Sequence, residues 1–170
     1  MSLSMHRASV PVFARALKVL TTLLDKGEAH AKTLGLDPND LVAARLTEDM
    51  LPLAGQIQRA SDASKSAVAR LTGVEAPAMP DEETTFAQLR KRVADTLTYI
   101  ESVDPKAFEG SETRTIELKF PGTTLTFTGE DYLLAFALPN FFFHVVTAYD
   151  VLRHKGVQIG KLDYMGPVQS

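Results

Sequence analysis

The chain has 170 residues, 45% hydrophobic and 23% charged, with a formal net charge of -3 and no cysteine. That length lets one domain bury most of the surface its unfolded form would expose. The composition excludes global disorder, and the mild acidity leaves no electrostatic footprint for nucleic acid or an anionic membrane. Thiol chemistry, disulfides and cysteine-based metal sites are excluded, which fits a reducing cytosol.

The opening Met1-Ser-Leu-Ser-Met-His-Arg has no basic region followed by a cleavable apolar core. The most apolar run, Tyr132–Val146, is short and interrupted by Pro139 and Asn140, so no stretch is expected to cross a bilayer. A single cytoplasmic domain over residues 1–170 is the expectation, without nucleic-acid or membrane partners.

From Ser4 to about Lys32, Val12, Phe13, Ala16, Leu17, Leu20, Leu23 and Leu24 recur at three- and four-residue steps and predict a first helix, which Pro11 bends or effectively starts. Gly35 stops it, and the segment 36–40 connects. After a short helical turn over Asp40–Arg45, Thr47 reads as the N-cap of a second helix, with Glu48 and Asp49 complementing its positive end and Pro52 tolerated early. Its stripe of Met50, Leu53, Ala54, Ile57, Ala60, Ser61, Ser64, Val68 and Leu71 runs to Gly73.

Pro77 and Pro80 mark the segment from Val74 to Asp81 as a loop, and Thr84 or Thr85 caps a third helix that ends at Asp104-Pro105. The period then changes to two. Thr115–Phe120, the turn Pro121-Gly122 and Thr124–Thr128 predict a hairpin with Ile116, Leu118, Phe120, Leu125 and Phe127 on one face. A lone ribbon is marginal in water, so that face should lie on the bundle or reach a partner subunit. The last helical region begins at Thr128-Gly129-Glu130-Asp131. Pro139 is expected to divide it into Tyr132–Leu138 and a main helix from Asn140 to His154, stopped by Gly156.

Four histidines exist, His6, His30, His144 and His154, and no two stand at the three- or four-residue spacing that aims two ligands at one metal. His6 and His30 read as exposed, and His154 as a cation at a helix C-terminus. His144, set among Phe141, Phe142, Phe143, Val145 and Val146, reads as buried and in need of partners. Asn140 lies one turn before it. If the second helix packs on the last, Asp49, Asn140 and His144 converge, with Gln56 on the same stripe as Asp49. Asp150 and Arg153 form an i,i+3 surface pair, and Lys161, Asp163 and Tyr164 lie in the tail. Gly156-Val-Gln-Ile-Gly160-Lys161 follows a helix instead of leading into one and is no phosphate loop; no Gly-x-Ser-x-Gly elbow occurs.

Three blocks carry a resemblance: Arg45-Leu46-Thr47-Glu48-Asp49-Met50-x-Pro52-Leu53-x-x-Gln56; Pro139-Asn140-Phe141-Phe142-Phe143-His144 running to Gly156; and Gly160-Lys161-x-Asp163-Tyr164. Together they resemble a bacterial domain-of-unknown-function family within the DinB/YfiT-like superfamily. The resemblance implies an all-α fold, a DinB-like four-helix bundle with the hairpin inserted before the last helix, and a homodimer. The superfamily is described as metalloenzymes, among them thiol-dependent S-transferases and a maleylpyruvate isomerase, whose usual site is three histidines on a divalent metal.

Here the pair from the last helix would be Asn140-x-x-x-His144 and the second-helix position Asp49 or Met50, so only His144 matches by type. An amide oxygen is a weak ligand for zinc or nickel. The expectation is therefore a small-molecule pocket without metal or other cofactor, bounded by His144, Asn140, Asp49 and Gln56. A divalent metal held by His144 and Asp49, with those two as catalytic candidates of an S-transferase or isomerase type, is one alternative. A non-catalytic dimeric interaction module is the other. No reaction follows from the residues alone.

Overall fold

The computed structural model describes residues 3–166, so Met1, Ser2 and the last four residues lie outside it. Seven α-helical segments and one hairpin follow in chain order: α1 Met5–Leu34, α2 Pro38–Val42, α3 Leu53–Thr72, α4 Phe86–Ser102, β1 Thr115–Phe120, β2 Thr123–Thr128, α5 Gly129–Asp131, α6 Leu138–His154 and α7 Lys161–Met165. Two 3-10 turns, Pro105–Phe108 and Ser111–Thr113, precede the hairpin, and a π-helical segment, Tyr132–Ala137, joins α5 to α6.

The four long helices form the expected bundle, a ring in which α1 packs on α4, α4 on α3, α3 on α6, and α6 back on α1. The apolar stripes explain the ring. Phe13, Leu17, Leu20 and Leu24 of α1, Leu53, Ile57 and Val68 of α3, Leu89 and Val93 of α4, and Phe141, Val145 and Val151 of α6 are all essentially inaccessible. Phe13 meets Phe141 edge to face at 4.9 Å, a geometry that adds to simple burial. Gly35 and Gly73 end α1 and α3 in the left-handed conformation, and Thr85 with Gln88 builds a capping box at the start of α4. Pro11 is carried inside α1, which runs unbroken from Met5.

The short helix α2, expected over Asp40–Arg45, spans Pro38–Val42 instead, capped by Asp37, and two boundaries of the long helices also differ from the sequence reading. Helix α3 does not start at Thr47: Pro52 is its N-cap and Leu53 its first residue, while Thr47–Met50 closes a turn through Met50 N–H to Thr47 C=O at 3.1 Å. Leu51 precedes a proline and is pushed toward extended backbone, so a helix cannot run through it comfortably. The Leu53 N–H instead donates to Ala44 C=O at 2.8 Å and fixes the entry of α3.

Nor does Pro139 divide the last helical region. The chain is helical from Gly129 to His154, 26 residues, because the turns before the proline widen: Leu138 N–H reaches back five residues to Leu133 C=O. A π turn leaves room for the ring and for the carbonyl that proline cannot serve. This continuity also corrects the expectation about apolar length. With a mean hydropathy of 1.4 over an 18-residue window, Gly129–His154 is long and apolar enough to span a bilayer, and 39% of that window is buried inside the fold.

The hairpin forms in the expected register, with Ile116 opposite Phe127 and Leu118 opposite Leu125. Gly122, at a φ of 81°, makes the tight turn after Pro121. Its base is docked: Ile116 and Leu118 are buried, and Phe127 lies against Tyr132 and Phe136 at 6.3 and 6.0 Å. Its tip is not, since Phe120 and Leu125 remain exposed.

Loop 73–85 is held by an ionic hub that the apolar stripes conceal. Arg92 of α4, its side chain 1% exposed, contacts Asp62 of α3 at 2.9 Å and Asp81 and Glu83 of the loop at 3.0 Å each. Its guanidinium also donates to Pro80 C=O at 3.1 Å, and Lys65 adds bonds to Asp62 and to Pro77 C=O.

Candidate functional site

Packing of α3 on α6 brings Gln56, in the first turn of α3, to His144, in the second turn of α6. Gln56 Oε1 stands 2.8 Å from His144 Nδ1, and Gln56 Nε2 donates to Leu51 C=O at 3.0 Å. The roles follow without ambiguity. A backbone carbonyl only accepts, so the Gln56 amide must turn its NH2 to Leu51 and its oxygen to the imidazole; Nδ1 therefore carries the proton and donates. In the neutral ring the lone pair is then on Nε2. No partner meets Nε2 among the described residues, and it is not an enclosed atom, so it stays open to solvent.

Burial, and after it the positive Arg59 guanidinium, hold the His144 imidazole below its ordinary pKa of 6.5. Arg59 lies three residues along α3 from Gln56 and is itself paired with Asp81 and Asp62. The ring is thus neutral near pH 7. It is also less enclosed than its neighbours suggested: His144 is half-buried, since Phe143 and Val146 face outward while Phe141 and Val145 fill the core. Phe143 presses edge-on against the imidazole at 5.2 Å.

Asn140 is half-buried one turn before His144. Asp49 lies in the exposed turn ahead of α3 and makes no hydrogen bond or ion pair to His144, Asn140 or Gln56 among the described residues. The direct contact is between His144 and Gln56. Leu51 C=O and Arg59 complete the environment, and sequence reasoning missed both: a carbonyl has no sequence signal, whereas Arg59 stood one turn from Gln56 on the same helix.

The other histidines lie away from this pair. His6 and His30 are half-buried, not exposed as expected; His6 stands edge-on to Phe108 at 5.3 Å, and His30 lies beside Gly156. His154 is exposed in the last turn of α6, as its position implied. Arg153 reaches toward Val157 C=O instead of pairing with Asp150, because the chain turns back over the helix end there. In the tail, Asp163 caps Gly160 N–H at 2.8 Å and pairs with Lys26 at 2.5 Å, which docks α7 on α1.

A divalent metal needs about three or more protein donors in such a site. Among the described residues no group of three His, Cys, Asp or Glu side chains could hold one. His144 Nδ1 is committed to Gln56, leaving a single imidazole nitrogen beside amides. These residues do not fit the three-histidine centre of the superfamily.

The ring order and the inserted hairpin define a DinB-like bundle. The chain belongs to the domain-of-unknown-function family DUF1993, whose sequence model matches residues 5–165. A crystal structure described as a DinB family member protein from Shewanella denitrificans is 40% identical to it, covers 98% of this chain and 94% of its own, and superposes with a TM-score of 0.91. A comparison with curated proteins finds no match.

Proposed function

We propose that the His144–Gln56 pair is a metal-independent small-molecule site in which the neutral imidazole accepts a hydrogen bond at Nε2 from a protic ligand. One observation carries this reading: the Leu51 carbonyl orients Gln56, Gln56 fixes the Nδ1–H tautomer, and the basic nitrogen is left open. A histidine sealed in the core would have both nitrogens satisfied within the fold; His144 is half-buried, and its Nε2 can reach a ligand from solvent. Asn140, half-buried on the same helix, supplies an amide within one turn for a second polar contact.

Saturation-transfer NMR with a set of small alcohols, phenols and amides tests it. Ligands seen with the wild type and lost in His144→Phe support the site, whereas an unchanged binding set in that variant contradicts it. A rise in melting temperature on adding Zn²⁺ or Ni²⁺ that disappears in His144→Ala would favour the metal-dependent alternative instead.

A homodimer belongs to the same proposal. Phe120 and Leu125 at the hairpin tip, and Leu134, Phe143 and Val146 along the Gly129–His154 helix, are large apolar side chains left exposed, Leu134 by 53% and Phe143 by 56%. A second copy of this chain would cover them.

A further inference from the structure

A separate cavity of about 270 Å³ opens between α1, α6 and α7. Val12, Arg15, Ala16 and Val19 of α1, Phe142 of α6 and Tyr164 of α7 frame it, and neither His144, Gln56 nor Asn140 takes part. Its size is just under the roughly 300–1,000 Å³ usual for small-molecule sites. The walls are apolar, with Ala16 and Val19 buried and Phe142 partly so.

At the rim the chemistry changes. Arg15 donates to Met165 C=O, but one contact leaves most of its five donors over, and no carboxylate pairs with it among the described residues. Its charge reaches the Tyr164 hydroxyl, which is pushed up by burial and drawn back by Arg15. That hydroxyl has no hydrogen-bond partner among the described residues and is a second free donor. In a chain of net charge -3, a guanidinium with no carboxylate partner among the described residues, beside a phenol at the mouth of an apolar cavity, is complementary to one anion with a hydrocarbon body.

We propose that this cavity binds a small monocarboxylic acid, its carboxylate on Arg15 and Tyr164 and its hydrocarbon against Ala16, Val19 and Phe142. A carboxylate matches the planar fork of arginine in two parallel bonds. A doubly charged phosphate would find one cation and a mostly apolar wall.

Hexanoate is the probe, titrated into the full chain by calorimetry, with hexan-1-ol as its neutral counterpart measured in the His144→Gln chain, where the imidazole site cannot take the alcohol. The expected result is saturable hexanoate binding that is about tenfold or more weaker in Arg15→Met, with hexanol weaker than hexanoate in the His144→Gln chain. Ala16→Leu, which fills the cavity, should abolish binding while circular dichroism keeps the helical signal. His144→Gln should leave hexanoate binding unchanged, which separates this site from the imidazole site. Absence of saturable hexanoate binding, equal binding of hexanol in the His144→Gln chain, wild-type affinity in Arg15→Met, or loss of hexanoate binding in His144→Gln would overturn the proposal.

Discussion

A carbonyl that can only accept sets the state of a histidine two contacts away, since Leu51 orients Gln56 and Gln56 orients His144. Gln56→Leu removes both bonds and leaves a half-buried Nδ1–H unpaired, so the variant is expected to lose about 1–3 kcal/mol in urea unfolding. The pH dependence has a definite sign. His144 has a folded-state pKa below its unfolded value, so the folded chain binds fewer protons between the two. Its neutral-form contribution is complete above the unfolded value and is lost as pH falls through the folded one. His144→Phe should flatten that part of a melting-temperature profile below about pH 6.5.

Arg92 makes the same point about burial. Replacing it by methionine removes the buried cation among Asp62, Asp81 and Glu83; Asp62 keeps Lys65 and Arg59, Asp81 keeps Arg59 and Glu83 keeps Gln58, so a loss of about 1–3 kcal/mol is expected, read by thermal or urea unfolding. The hub was not read from the sequence: Arg92 stands between Leu89, Val93 and Thr96 on the inward stripe of α4, where the apolar period hides it. Its partners come from a different helix and from a proline-rich loop, and no local pattern joins them.

At the scale of elements, the helices written by period and cap were readable and the irregular joints were not. Thr85, Gly35, Gly73 and the Pro121-Gly122 turn act where their chemistry put them. The start of α3 was misplaced because Thr47 looks like an N-cap, while the decisive constraint is the backbone of Leu51 before Pro52. The π segment before Pro139 was invisible for a similar reason: the proline reads as a break, and the widened turn that accommodates it, Leu138 N–H to Leu133 C=O, has no residue pattern of its own. One close approach at this joint gives a sharp test. A Cβ built on Gly129 would fall 1.8 Å from the Ser111 carbonyl oxygen, a backbone atom, so Gly129→Ala should cost about 3 kcal/mol or more in a urea melt.

For the whole molecule, the bundle and its family membership were legible because three sequence blocks span the chain from α3 to α7. The candidate site was legible as a position, His144 facing α3, but not as a tautomer, because that depends on an amide, a carbonyl and a guanidinium assembled only by the packing of α3 on α6. The exposed apolar side chains belong to this scale too. Sedimentation velocity should find a dimer that Leu134→Glu with Phe143→Glu converts to a folded monomer, whereas a wild-type monomer would refute the proposed pairing.

The central claim is a neutral, Nδ1-protonated imidazole with an open Nε2. Multiple-bond proton–nitrogen NMR of the His144 ring, followed through a pH titration of the full chain, reads it directly. The expected result is the proton on Nδ1, an unprotonated Nε2, and a midpoint below the ordinary 6.5 of histidine. A proton on Nε2 at neutral pH, or a midpoint above that value, would contradict it.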